Sequence, residues 1–168
     1  MRPDQLRALQ QPLKQTYREN PDAATVTLTA SGDLCDGVSC SVETGRALVE
    51  AGLHPATGGT GTLACSGDLL LQALVACAGV TLQAVASSLD LPVRGGRVTA
   101  SALFDARGTL AVDRDVPVGL QDVTLDFTLD ADLTEEQQAT LLKLTERYCV
   151  VLQTLRSSPS VTATMSAA

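Results

Sequence analysis

The sequence predicts an α+β fold, with antiparallel sheets around a buried central helix, and three observations carry that reading. The stretch "LACSGDLLLQALVACAGVTLQAVASSL", Leu63 to Leu89, is a long apolar run at helical spacing. Segments of strict two-residue alternation stand both before and after it. The elements come in the order helix, strands, buried helix, strands, helix, strand, and not as the regular β-α alternation that builds a parallel sheet.

Taken in order, Leu6, Leu9, Leu13 and Tyr17 are spaced by three and four and predict an opening helix over about residues 1–20, with Pro3 in its first turn and Pro12 placed to kink it. "ATVTLTAS" and "VSCSVETG" alternate and read as strands of a short antiparallel meander, turned at Gly32-Asp33 and Asp36-Gly37. "HPATGGTGTLACSG" is rich in Pro and Gly and reads as a flexible connector. The apolar helix follows, with Ser66 or Asp68 as its N-cap and its end near Ser88, where "DLPVRGG" stops it. "GRVTASALF" and "LQDVTLDFTLD" predict half-buried antiparallel strands, the second with Val123, Leu125 and Phe127 on one face and Asp122, Thr124, Asp126 and Thr128 on the other. Thr134 and Gln137 form a capping box opening a helix whose apolar spacing runs through Leu141, Leu144, Tyr148, Leu152 and Leu155. "SVTATMSA" closes the chain as an alternating strand.

At 168 residues the chain fits one domain, with residues 1–20 as an added helix. Its core must be built from Leu, Val and Ala, since it has only two Phe, two Tyr and no Trp. Few aromatic rings and a net charge of -7 argue against a nucleic acid or a membrane surface as partner. The polar N-terminus has no secretory apolar region, and the apolar segment Leu69 to Ala86 falls short of a membrane span. The five cysteines, Cys35, Cys40, Cys65, Cys77 and Cys149, are an odd set and are expected as reduced thiols in the cytoplasm.

The possible sites narrow to thiols. The glycine loop matches neither a P-loop nor a dinucleotide fingerprint. A zinc site would need Cys35, Cys40, His54 and one more ligand without any CxxC pair, and a hydrolytic triad has only His54 as its base. No metal or cofactor is expected. Cys77 lies roughly 140° round the helix from Gln72, on the apolar side, and Cys149 shares a face with Leu142 and Leu152. Burial alone raises a thiol pKa and makes a cysteine inert filler. Cys65, just before a helix N-terminus, is by sequence the most reactive of the five.

"GGTGT", "LLLQALVAC" ending in Cys77, "VTLQAVASSLDL" continuing that helix, the late "ERYCVVLQTL", and an early "SVETG" strand together resemble the OsmC/Ohr family of osmotically induced and organic hydroperoxide resistance proteins. The similarity covers about Thr25 to Met165, with Cys77 and Cys149 separated by 72 positions. The resemblance implies an intertwined homodimer that reduces an organic hydroperoxide. Cys77 would be the attacking thiol, Cys149 the resolving thiol, and an external dithiol the reductant. Where the family carries a Pro-Glu pair this chain has Ser66 and Gly67, with Asp68 one residue on. The family's arginine is missing, leaving Arg46 as the substitute activating cation, with Asp68 as its partner, and His54 as a further candidate. The proline that often follows the second cysteine is Val150 here. Without a nearby cation, Cys77 is expected to hold only a few per cent thiolate at neutral pH. Two other readings stand beside this one. The first is an inert member binding an apolar small molecule in an interface pocket; the second is a redox protein in which Cys65 replaces Cys77 or Cys149.

Overall fold

The computed structural model describes residues 48–166, the strands at 31–35 and 39–43, and Asp4, Gln5, Ala8, Gln11, Pro12, Gln15, Glu19 and Asn20. The described positions of the opening segment up to Glu19 are helical; Leu6, Leu9, Leu13 and Tyr17 lie outside the described residues. The chain forms two compact units, Met1–Gln72 with Thr99–Asp126, and Ala73–Val98 with Phe127–Ala168.

The first unit holds a four-stranded sheet in the order β1 (Ser31–Cys35), β2 (Ser39–Glu43), β3 (Leu48–Gly52) and β4 (Ala64–Cys65). The predicted "VSCSVETG" strand contains β2, and "ATVTLTAS" up to Ala30 lies outside the described residues. Gly32 and Asp33 are not a turn but lie inside β1, opposite Val42 and Ser41, because ladder pairing overrides the local turn preference. Asp36-Gly37 lies outside the described residues. β3 runs antiparallel to β2, and the two-residue β4 then pairs parallel to β3, setting Cys65 across from Gly52.

The Gly-rich segment before β4 opens with a capped turn. His54 Nδ1 accepts from the Ala56 amide at 3.1 Å and caps a single 3-10 turn, Pro55–Thr57. The Gly59 amide donates back to His54 O at 3.1 Å. A Cβ at Gly59 would stand 1.7 Å from Leu53 O, so only glycine fits that approach.

The apolar run forms α1, Ser66–Ser88, ending where its sequence predicts, with Asp68 in its first turn. It is 23 residues long with a mean hydropathy of 1.9 over its apolar window, long enough by length and composition to cross a membrane. Its buried residues nevertheless form a core stripe, Leu74, Ala78, Leu82, Val85 and Ala86, at the three-and-four spacing of one helix face.

β5 (Val93–Leu103) and β6 (Gln121–Ala131) make a second sheet, and a short helix α2 (Ala106–Thr109) lies between them in sequence. Arg94 pairs with Asp130 at 2.7 Å and Ser101 with Thr124 at 2.7 Å, so partners ascend on one strand as they descend on the other, which makes the pair antiparallel. The strand begins three residues before the predicted "GRVTASALF", which brings Val93, Arg94 and Gly95 into it. β6 keeps its alternation from Leu125 onward, but Val123 is exposed, next to Asp122 at φ 49°.

In the second unit Leu82, Val85, Ala86 and Leu141 form the buried cluster, flanked by Phe127, Leu129, Leu133 and Leu144. The predicted capping box opens α3 (Glu135–Tyr148): Gln137 N donates to Thr134 Oγ1 at 3.2 Å, and Thr134 N to Gln137 Oε1 at 2.9 Å. The expected single helix is broken at Cys149, and α4 (Val150–Arg156) follows. The final segment does not form a strand. Residues 160–166 have no regular structure and stand exposed, because alternation makes a strand only where an open edge accepts it.

Candidate active site

The break at Cys149 builds the site. Cys149 N still donates to Thr145 O at 3.0 Å, so the residue sits in helical register, but its ψ of 106° turns the chain away from the helix. The amides that open α4 therefore have no intrahelical acceptor. Glu146 braces the elbow twice. Gln153 Nε2 donates to its carbonyl at 2.7 Å, and Arg156 pairs with its carboxylate at 2.7 Å.

The freed amides meet Cys77, which lies half-buried one position before Ala78 of the core stripe. Burial is the largest influence on this thiol and opposes its ionisation. Hydrogen bonding from the Val151 amide, the Cys149 side chain, the Val150 amide and the Thr81 side chain outweighs it and holds Cys77 below the ordinary thiol range. Cys149 is fully buried and its thiol is pushed up, first by burial and then by the Cys77 side chain, with the Leu152 amide opposing. The opposed shifts give the pair its direction: they favour losing the proton of Cys77 before that of Cys149. Both thiols are free.

Burial therefore does not set the direction of the Cys77 shift, and no cation is among its causes. The groups that hold its thiolate are neutral, and they come from backbone that no side-chain pattern displays. Thr81 is different, since it is one turn on from Cys77 at the i, i+4 spacing that puts two side chains on one helix face.

The other candidates fall elsewhere. Arg46 lies outside the described residues. Asp68 is exposed, about 13 Å along the helix axis from Cys77 at 1.5 Å per residue. Cys65 is half-buried at the end of β4, just before α1. Cys65 and Asp68 instead line a cavity of about 730 Å³ in the first unit, with Leu53, His54, Phe104 and Leu110 among its walls. His54 meets the Phe104 ring edge-on at 5.9 Å. Among the described residues no group of three His, Cys, Asp or Glu could hold a metal ion.

Comparison with known proteins agrees with this architecture. Comparison with curated proteins gives no match. Among solved structures, an OsmC-like protein from Mycoplasma pneumoniae superposes with a TM-score of 0.67 at 14% identity, covering 79% of this chain and 89% of that one. An organic hydroperoxide resistance protein OsmC from Legionella pneumophila gives 0.57 at 16% identity, covering 80% and 92%. The organic hydroperoxide resistance protein OhrB of Bacillus subtilis gives 0.56 at 18%, covering 79% and 93%. At these identities the likeness is one of fold. The OsmC-like protein family profile matches residues 59–164, from the glycine turn through both thiols and the last helix into the exposed tail. A match over more than half of the sequence, on the fold its structural relatives share, means that the chain belongs to the OsmC-like protein family.

Proposed function

We propose that this protein is a thiol-dependent peroxidase that reduces organic hydroperoxides, with Cys77 as the attacking thiol and Cys149 as the resolving one. The observation that carries the reading is that Cys77 meets Cys149 where the α4 amides open, surroundings that lower the first thiol's pKa and raise the second's. The Cys77 thiolate attacks the distal peroxide oxygen. A sulfur–oxygen bond forms, the oxygen–oxygen bond breaks, and the alkoxide takes a proton from solvent and leaves as alcohol. Cys149 then attacks the sulfenic acid, closing a disulfide and releasing water. An external dithiol restores both thiols by exchange and is itself oxidised. The cytoplasm, which keeps such dithiols reduced, suits the cycle.

The chain works in this reading as one OsmC-like domain within an intertwined homodimer. What supports the dimer is apolar surface that each chain leaves open: Val80 on α1 is 73% exposed, and the alternating tail presents Val161 and Met165 unpaired. Arg46 and Asp68 remain proposed as an ancillary cation and its partner, while the α4 amides supply activation without them. A second reading, capture of an apolar small molecule without chemistry, draws on the cavity beside Cys65.

The deciding experiment is turnover of cumene hydroperoxide with a dithiol reductant. The wild type consumes it and Cys77→Ser does not; turnover that survives in Cys77→Ser removes Cys77 from the reaction, and an inert wild type favours the binder.

A further inference from the structure

We propose that the Thr145 hydroxyl is the hydrogen-bond donor for the oxygen atom that Cys77 takes from a hydroperoxide. The proposal rests on the peroxidase reading above and adds a residue to it.

Thr145 is 1% exposed, and its Oγ1 is the one buried side-chain N or O atom among the described residues that lacks a hydrogen-bond partner. A mid-helix threonine ordinarily turns its hydroxyl back to the carbonyl four residues earlier. Thr145 does not, so it bears the desolvation cost of a buried hydroxyl with nothing in the reduced protein to offset it.

Its position gives that hydroxyl a use. Leu141 packs with Leu82, Val85 and Ala86, whereas two turns later Cys149 meets Cys77. α3 therefore runs antiparallel to α1, and Thr145, midway, falls beside the turn from Ala78 to Leu82 that carries Thr81. Thr145 is also one turn before Cys149, on the same face, and its carbonyl holds the Cys149 amide. Ala78 and Leu82 are buried, so the surroundings are apolar.

The donors at Cys77 are already engaged in the reduced state, since the Val150 and Val151 amides, Thr81 and the Cys149 thiol all serve the sulfur. Oxygen transfer creates a second acceptor, the oxygen that ends as sulfenic acid, and it needs a further donor. Thr145 offers one without exchanging a proton, by turning its hydroxyl hydrogen toward the transferred oxygen as the sulfur–oxygen bond forms and the oxygen–oxygen bond breaks, while the charge leaves with the alkoxide.

The test compares wild type, Thr145→Val and Thr145→Ser, each reduced and full length, in three measurements. These are single-turnover oxidation by cumene hydroperoxide, alkylation of Cys77 by iodoacetamide, and thermal unfolding. The expectation for Thr145→Val is oxidation about ten-fold slower, the worth of one hydrogen bond at the transition state. Alkylation is unchanged, because it delivers no oxygen to the sulfur, and the melting temperature is equal or higher, because an isosteric methyl replaces an unsatisfied hydroxyl. Thr145→Ser restores the oxidation rate to within about three-fold of wild type. A Thr145→Val protein that oxidises at the wild-type rate overturns the proposal while leaving the peroxidase reading intact. So does one that melts several degrees lower and is slowed equally toward both reagents, since the hydroxyl then serves the fold. An inert wild type removes both.

Discussion

Val150→Pro takes one amide away from the Cys77 sulfur and changes little else. Val150 opens α4, where the fixed φ of proline fits and its missing N–H breaks no intrahelical bond. Cys149 before it is extended, at φ -73° and ψ 106°, a conformation compatible with a following proline. The Val150 side chain is 67% exposed, so little burial is lost, and the stiffer unfolded chain adds about 0.4–1 kcal/mol of stability. The cost falls on the thiolate. A hydrogen bond to a charged acceptor contributes about 1.5–3 kcal/mol, and since the Val150 amide acts less strongly than that of Val151, the lower end applies. About 1.5 kcal/mol is roughly ten-fold in thiolate fraction at any pH below the thiol pKa. The remaining thiolate is more nucleophilic, which recovers about half of that on a logarithmic scale, so alkylation at neutral pH slows about three-fold. The assay is the pH dependence of iodoacetamide labelling at Cys77. In wild type the rate rises with pH through a value below that of an ordinary thiol and then levels, because the folded protein favours the thiolate. In Val150→Pro the curve moves to higher pH with the melting temperature held or raised. Superimposable curves for two equally folded proteins would refute the claim that α4 amides hold the thiolate.

Two further outcomes follow from the same geometry. Gln153→Ala removes the bond to the Glu146 carbonyl that braces the elbow, worth about 1 kcal/mol, and should shift Cys77 labelling in the same direction as Val150→Pro while lowering the melting temperature slightly. Leu141→Ala opens the buried cluster of the second unit and should cost about 2–5 kcal/mol in denaturant unfolding, with a much smaller loss showing that the cluster collapses around the gap.

The parts of this molecule that side chains encode were open to reading from the sequence. α1 shows its buried stripe as an apolar period and stops at Ser88, and Thr134 and Gln137 announce the start of α3. The site was half legible. Cys77 and Cys149 stand out as a pair only beside the family, since their own apolar neighbours describe filler. What brings the α4 amides to Cys77 is one ψ angle at Cys149, inside a stretch whose apolar spacing continues through the break. No Gly or Pro marks it, and the β-branched Val150-Val151 pair is a weak sign at most. Gly32-Asp33 and the tail failed for a related reason. Local preference says what a segment can form, whereas the ladder partner, present for β1 and missing for residues 160–166 within one chain, says what it does form.

The central claim is that Cys77 and Cys149 form one redox unit, and peptide mapping after a single equivalent of cumene hydroperoxide tests it most directly. The account predicts a Cys77–Cys149 disulfide in the wild type and, in Cys149→Ser trapped with dimedone, an adduct on Cys77 alone. A wild type whose two thiols stay reduced, or whose bridge involves Cys65 in place of either, contradicts it.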